Sequence, residues 1–326
     1  MSPVRAELEA ALERSHPGSR LVTLPGDAST RRFHRLFLAS GGTLIVMDYE
    51  RPFEGETDDV RLARIFLRAS LPVAAVVEVL PAAGCLLLED FGDQTLESAL
   101  ATAAGEPERE ALRYAAVELA AEIASRGTEA LGSSDRAEGP ALDRERFLFE
   151  MRFFVENYVG RLLGRPSPPP ALVNALERLA EECATHPRVL CHRDYHSRNL
   201  MVRRDGTLAM VDIQDARWGP DTYDIASLLR DAYVDIEERE VGDLFEGYRR
   251  LGWEPPDQQS FEQRFRLVSG QRMIKALGTF GYQIAVLGRE RYRSAIPRTV
   301  ARIRELLPQS SRTSELGARL EEAKAL

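Results

Sequence analysis

The run Cys191-His192-Arg193-Asp194-Tyr195-His196-Ser197-Arg198-Asn199-Leu200 sets an aspartate and an asparagine five positions apart between two apolar stretches. An aspartate so placed can take the proton of an attacking hydroxyl. Four intervening residues let the chain turn until the asparagine faces a metal on the phosphate side. Further on, Met210-Val211-Asp212-Ile213-Gln214-Asp215 puts a carboxylate at the end of an apolar strand. Magnesium takes oxygen ligands in octahedral geometry, usually one or two carboxylates with phosphate oxygens and water. Asn199 and Asp212 suit that cation, and Asp194 suits the proton. Taken singly, Asp194 reads as a turn carboxylate and Asp212 as a strand-end cap. Their order, with a hairpin between them, points to phosphoryl transfer from magnesium-bound ATP to a hydroxyl.

These residues need a frame. Apolar spacing predicts a helix over 4–15, then β runs at 20–24, 32–39 and 43–49 separated by turn-rich segments. A helix is expected over 57–69 with Thr57 as its N-cap, followed by β runs at 74–80 and 84–90. That order describes a lobe built on an antiparallel sheet. After Asp90 long helical patterns take over, at 95–103, 107–128, 143–163 and 171–184, with Pro166, Pro168, Pro169 and Pro170 dividing the last two. β character returns from 188, and Asp205-Gly206 reads as a two-residue hairpin turn. From about 222 the pattern is helical, interrupted at 252–257. The fold class is α+β in two lobes: a small antiparallel β N-lobe over 1–90, a hinge at 91–94, and a mostly helical C-lobe over 95–326 carrying the catalytic loop and substrate site.

Composition excludes several classes. The 326 residues are 44% hydrophobic and 29% charged, with a formal net charge of −8, which argues against affinity built on nucleic-acid phosphates. No apolar stretch approaches a membrane span, and the N-terminal segment lacks the apolar core of a signal peptide, so a cytoplasmic protein is expected. Cys85, Cys183 and Cys191 read as small buried hydrophobes. Lys275 and Lys324 are the only lysines among 43 basic side chains.

The segments LLLEDFG at 86–92, HRDYHSRNLM at 192–201 and VDIQDARWGPDTYDIASLLRDAY at 211–233 resemble the aminoglycoside-phosphotransferase superfamily. GDASTRRFHRL at 26–36, VMD at 46–48 and QRMIKALGTF at 271–280 are similar to the bacterial kinases of cell-wall amino sugars, which phosphorylate N-acetylmuramate and N-acetylglucosamine at the anomeric hydroxyl. The resemblance spans most of residues 20–300. It implies a protein-kinase-like fold, ATP and Mg²⁺ as cofactors, a small-molecule sugar as partner, and a place in peptidoglycan sugar salvage. An aminoglycoside or other small-alcohol kinase, and a catalytically silent nucleotide-binding protein, are the rival readings. The sequence does not fix an oligomeric state.

Residue by residue, the resemblance puts main-chain groups of Glu89, Asp90 and Phe91 beside adenine. It makes 26–30 a phosphate-covering turn, with the hydroxyls of Ser29 and Thr30 helping its N–H groups. His192 becomes structural, with Asp224 holding the catalytic loop near it, although Asp224 also reads as a first-turn acid favoured by the helix dipole. His196 touches substrate or packs the loop. Asp215, Arg217 and Trp218 form a sugar floor, with Trp218 equally readable as core. Kinases of the protein-kinase type hold the α- and β-phosphates with a lysine on the third strand. Here that strand reads Leu44-Ile45-Val46-Met47-Asp48, and Arg31 or Arg32 is the expected replacement. Strand neighbours point to opposite faces, so only one of the two can serve. Arg272 and Lys275 share a helix face, read here as a solvated one.

Overall fold

The computed structural model describes residues 5–25, 31–132, 140–251 and 258–326. The expected phosphate-covering turn at 26–30, with Ser29 and Thr30, therefore lies outside the described residues. So does the interruption at 252–257. The chain divides into two compact units, one of Met1–Gln94 with Met201–Gln214, the other of Thr95–Leu200 with Asp215–Leu326.

The first unit is an antiparallel sheet of strands β1 (Arg20–Thr23), β2 (Arg32–Phe37), β3 (Thr43–Asp48), β4 (Val76–Leu80) and β5 (Cys85–Glu89) in the order β1-β2-β3-β5-β4. Period-two alternation gives it two faces. On one, Val46, Leu36, Cys85 and Leu87 bury against Leu8 and Leu12 of helix α1 (Ala6–Ser15). The other face carries Met47, whose sulfur receives a contact from Arg31 at 3.8 Å. Helix α2 (Asp58–Arg68) begins at Thr57, whose hydroxyl accepts from the Val60 amide as an N-cap should.

Strands β7 (Leu200–Val202) and β8 (Leu208–Met210) form the expected hairpin, but not with a two-residue turn. Arg203 N donates to Thr207 O, Gly206 N donates to Arg203 O, and Gly206 takes φ 82°. This is the longer connection in which a turn is followed by a left-handed glycine, and Asp205 caps it by accepting from Thr207 N at 3.0 Å. The sequence reading ran the second lobe unbroken from 95, whereas contacts group this hairpin with the first unit. Met210 N donates to Pro72 O and Val202 N to Gln94 O, so backbone pairing ties it there.

The second unit is helical. Its elements are α3 (Leu96–Thr102), α4 (Glu106–Glu122), α5 (Arg144–Phe154), α6 (Pro170–Ala184), α7 (Tyr223–Leu229), α8 (Glu238–Arg250), α9 (Gln258–Ala285), α10 (Ile296–Leu306) and α11 (Ser311–Glu322). Two of the long helical patterns change pitch. α4 runs into a π-helical turn at Ile123–Gly127, and α5 into one at Val155–Leu162. A short ribbon completes the unit: β6 (Arg188–Cys191) pairs antiparallel with β9 (Arg217–Pro220). The sequence reading missed β9, because a four-residue strand containing Gly219 and Pro220 has no alternation long enough to register. All three cysteines are buried and free. Among the described residues no helix is long and apolar enough to cross a membrane.

Candidate active site

The loop that carries Asp194 leaves the end of β6 and is held in a conformation it would not adopt alone. Arg193 has φ 78°, a left-handed backbone that costs about 1–3 kcal/mol for a side chain of its size. The carboxylate of Asp224, at the start of α7, holds that bend. Its Oδ2 accepts from the His192 amide at 2.6 Å and its Oδ1 from the Arg193 amide at 2.9 Å. Both amides are buried and would be costly unpaired. Asp224 thus lies against the loop beside the buried His192. A second carboxylate does the same further along: Asp231 Oδ2 accepts from the Ser197 amide at 2.8 Å. Nothing in local spacing announced Asp231. Tyr195, fully buried, anchors the middle by donating to Ala116 O at 2.7 Å.

Within this frame the Asn199 amide nitrogen donates to the main-chain oxygen of Asp194 at 2.9 Å. That bond orients the Asn199 side chain with its oxygen turned the other way, which is the donor atom a hard cation takes. His196 packs edge-on against Tyr233, ring centroids 5.5 Å apart. Burial lowers its pKa and so keeps the ring neutral.

Asp194 itself is surrounded by cations. Lys275 Nζ lies 2.7 Å from its Oδ1, Arg272 3.5 Å from the same oxygen, and Arg193 3.7 Å from its Oδ2. Burial pushes the carboxyl up, but Lys275, Arg193 and Arg272 together outweigh it and hold Asp194 well below the usual carboxylate range. Arg272 and Lys275 are therefore not a solvated helix face. Both come from α9, Arg272 is 9% exposed, and it also donates to the Tyr223 hydroxyl at 3.0 Å. Helical periodicity reports which residues share a face, not what that face meets.

Arg193 continues the network to Asp215 at 2.9 Å and Glu150 at 3.5 Å, and Arg217 meets Asp215 at 3.1 Å. Asp215 and Arg217 are thus brought to the loop that carries Asp194. Trp218 lies on β9 opposite Leu190, with its main chain bonded to Pro140 and Leu142.

The first unit places the other expected residues. Arg31 stands just ahead of β2 and Arg32 opens it, and the two take different partners. Arg32 pairs with Glu50 at 2.6 Å, whereas Arg31 pairs with the buried Asp59 of α2 at 2.7 Å and lies 5.1 Å over the Tyr49 ring. Burial raises the Asp59 pKa, bonds from Tyr49 and the charge of Arg31 oppose this, and the like charge of Asp212 adds to the rise. Asp212 therefore lies within electrostatic reach of the Arg31–Asp59 pair. It follows β8, is exposed, takes φ 65° and accepts a hydrogen bond from Gln214. At the expected hinge, Arg35 of β2 clamps Asp90 through bonds of 2.6 and 3.1 Å and also reaches Gly92 O. Arg203 lies 4.5 Å over the Phe91 ring, and Glu89 is exposed with its amide bonded to Ala75 O. Asp48, at the end of β3, pairs with Arg5 on the face that packs against α1.

An antiparallel N-terminal sheet with a mainly helical remainder is the architecture of the protein-kinase-like class. Residues 20–258 match the phosphotransferase enzyme family (APH), and the chain belongs to that family. It is an ATP-dependent phosphotransferase acting on a hydroxyl group. The N-acetylmuramate/N-acetylglucosamine kinase of Neisseria meningitidis serogroup B is 30% identical over 304 residues, 91% of this chain and 87% of that protein. The kinase of the same name from Pseudomonas aeruginosa is 29% identical over 313 residues, 92% and 88% of the two chains. Among solved structures, the gentamicin complex of APH(2'')-IIa superposes with a TM-score of 0.61 at 16% identity, covering 97% of this chain and 99% of that one. An ethanolamine kinase of Plasmodium vivax gives 0.60 at 12% identity, covering 90% and 86%.

Proposed function

We propose that the protein phosphorylates an amino sugar, N-acetylmuramate or N-acetylglucosamine, at the anomeric hydroxyl, in cytoplasmic salvage of peptidoglycan sugars. The observation that carries the reading is the cationic ring on Asp194, taken with the names of relatives about 30% identical over nine-tenths of the chain. Three cations within 3.7 Å of the catalytic carboxylate repel a polycationic aminoglycoside and suit a neutral or anionic acceptor. They also keep Asp194 a weak base, which favours a hemiacetal hydroxyl over a less acidic alcohol.

Asp194 orients the acceptor hydroxyl and takes its proton during direct transfer of the γ-phosphoryl group. Asn199 and Asp212 fit magnesium as hard oxygen donors and would hold it, and bound Mg²⁺ neutralises charge on the phosphates. His196, Asp215, Arg217 and Trp218 face the sugar, and the main chain at Glu89 and Phe91 receives the base. Arg31 serves the nucleotide phosphates in place of a strand lysine, with Asp59 holding it as an acidic helix residue would hold that lysine.

Two measurements test this. Turnover of ATP should occur with N-acetylmuramate and N-acetylglucosamine and vanish with their 1-O-methyl glycosides. Equal turnover of the methyl glycosides would place the phosphate on another hydroxyl. Arg31→Ala should raise KM for ATP by about 10–100-fold, the worth of one charged hydrogen bond, while Arg32→Ala leaves it within about twofold. Equal small effects at both positions would remove Arg31 from the phosphate site.

A further inference from the structure

Lys275 is one of two lysines in a chain with 43 basic side chains, and it is the one that touches Asp194. A composition that writes nearly every basic position as arginine leaves lysine where arginine does not serve. Two properties separate them. An ammonium is a compact charge on a flexible stem that fits against one oxygen, whereas a guanidinium is a broad planar fork. An ammonium can also lose its proton within the working range, which arginine cannot.

The geometry uses the first property. Lys275 Nζ bonds Oδ1 of Asp194 at 2.7 Å, while the ion pair on Oδ2 among the described residues is with Arg193 at 3.7 Å, beyond hydrogen-bond length. One oxygen is thus gripped and the other is left directed by that grip. We infer that Lys275 is a positioning residue for the transfer step: it fixes Asp194 so that Oδ2 meets the acceptor hydroxyl, and its charge keeps that carboxylate ionised. The inference rests on the kinase reading above. In the step itself the acceptor O–H bond breaks as its oxygen bonds the γ-phosphorus. The bond from that phosphorus to ADP breaks with its electron pair going to ADP, and the proton goes to Oδ2 of Asp194. Lys275 neither gains nor loses a proton in it.

The charged and titratable groups that face Lys275 are Arg272 on its own helix, Asp194, Arg193 and His196 on the catalytic loop, and Glu150 on α5. Burial and then Arg272 lower its pKa to about 8, against the pull of Asp194. Rising pH through that value removes the charge and loosens the grip, so kcat acquires an alkaline limb that a non-titrating cation would not show.

The test compares kcat, KM for ATP and the pH profile of wild type, Lys275→Met and Lys275→Arg, with Asp194→Asn as reference. Lys275→Met should lower kcat by about 10²-fold, the cost of a misplaced catalytic group, with KM for ATP within about twofold. It should also bring an acid limb into view as the Asp194 carboxyl rises. Lys275→Arg should recover part of kcat and lose the alkaline limb. A folded Lys275→Met with wild-type kcat and pH profile overturns the inference. Should Lys275→Met not fold, an alkaline limb unchanged in Lys275→Arg overturns it equally. Asp194→Asn with normal turnover would instead sink the underlying kinase assignment, so the two failures are told apart.

Discussion

Asp194→Asn is expected to lower kcat by about 10³-fold, or about 4 kcal/mol of transition-state stabilisation, while KM for ATP stays within about twofold. The amide keeps the size and the Oδ1 bond to Lys275 but cannot accept the acceptor's proton. The loss is confined to turnover because the proposed ATP contacts at Arg31, Asn199 and Asp212 are separate side chains. Steady-state kinetics with N-acetylglucosamine and a nucleotide-binding titration check both halves, and a variant with normal kcat overturns the assignment. The substitution also has a signature in stability. Without the Asp194 charge, Arg272 and Arg193 face Lys275 with less compensation, so the folded-state pKa of Lys275 falls further below its unfolded value. The folded protein then sheds that proton before the unfolded chain does, and stability rises with pH between the two values. The Tm deficit of Asp194→Asn should therefore be largest below about pH 7 and shrink toward pH 9, which thermal denaturation across that range would show.

What the sequence made legible follows from the range of its signals. Asp194, Asn199 and Asp212 stand out because their spacing is set by one short loop and one hairpin. Thr57 is readable as an N-cap because capping is local. The separate partners of Arg31, just ahead of β2, and Arg32, its first residue, agree with the alternation of an extended chain. Asp59 was hidden for the converse reason. Beside Asp58 it looks like one of two first-turn acids favoured by the helix dipole, and only the fold makes it the buried partner of Arg31. Lys275 lies 81 positions from Asp194, and no periodicity couples residues at that distance. Its one available signal was rarity: a lysine kept in an arginine-rich chain invites the question of what arginine could not do there.

The placement of Lys275 depends in turn on two glycines just beyond it on α9. A Cβ at Gly278 would stand 2.8 Å from the Phe154 Cα, and one at Gly281 would stand 2.6 Å from Asn157 O and 2.7 Å from the Tyr158 Cα. The atoms met are backbone of α5 and its π-helical continuation, so no side-chain rotation relieves the clash. Gly281→Ala should therefore push the two helices apart. Intrinsic propensity favours alanine by about 1 kcal/mol in a helix, but overpacking against backbone costs about 1–3 kcal/mol, occasionally more, and should win. The expected net loss is about 1 kcal/mol, a Tm fall of a few degrees in a chain of this size. Because α9 also carries Arg272 and Lys275, kcat should drop with it, by a factor that grows as Lys275 withdraws from Asp194. Gly242→Ala is the internal control. It lies exposed on α8 with nothing within 4 Å of its would-be Cβ, so the same substitution should raise stability by about 0.5–1 kcal/mol and leave kcat alone. If thermal unfolding instead gives both variants the same positive shift, the close approach of α9 to α5 does not constrain Gly281, and something other than these glycines sets the position of Lys275.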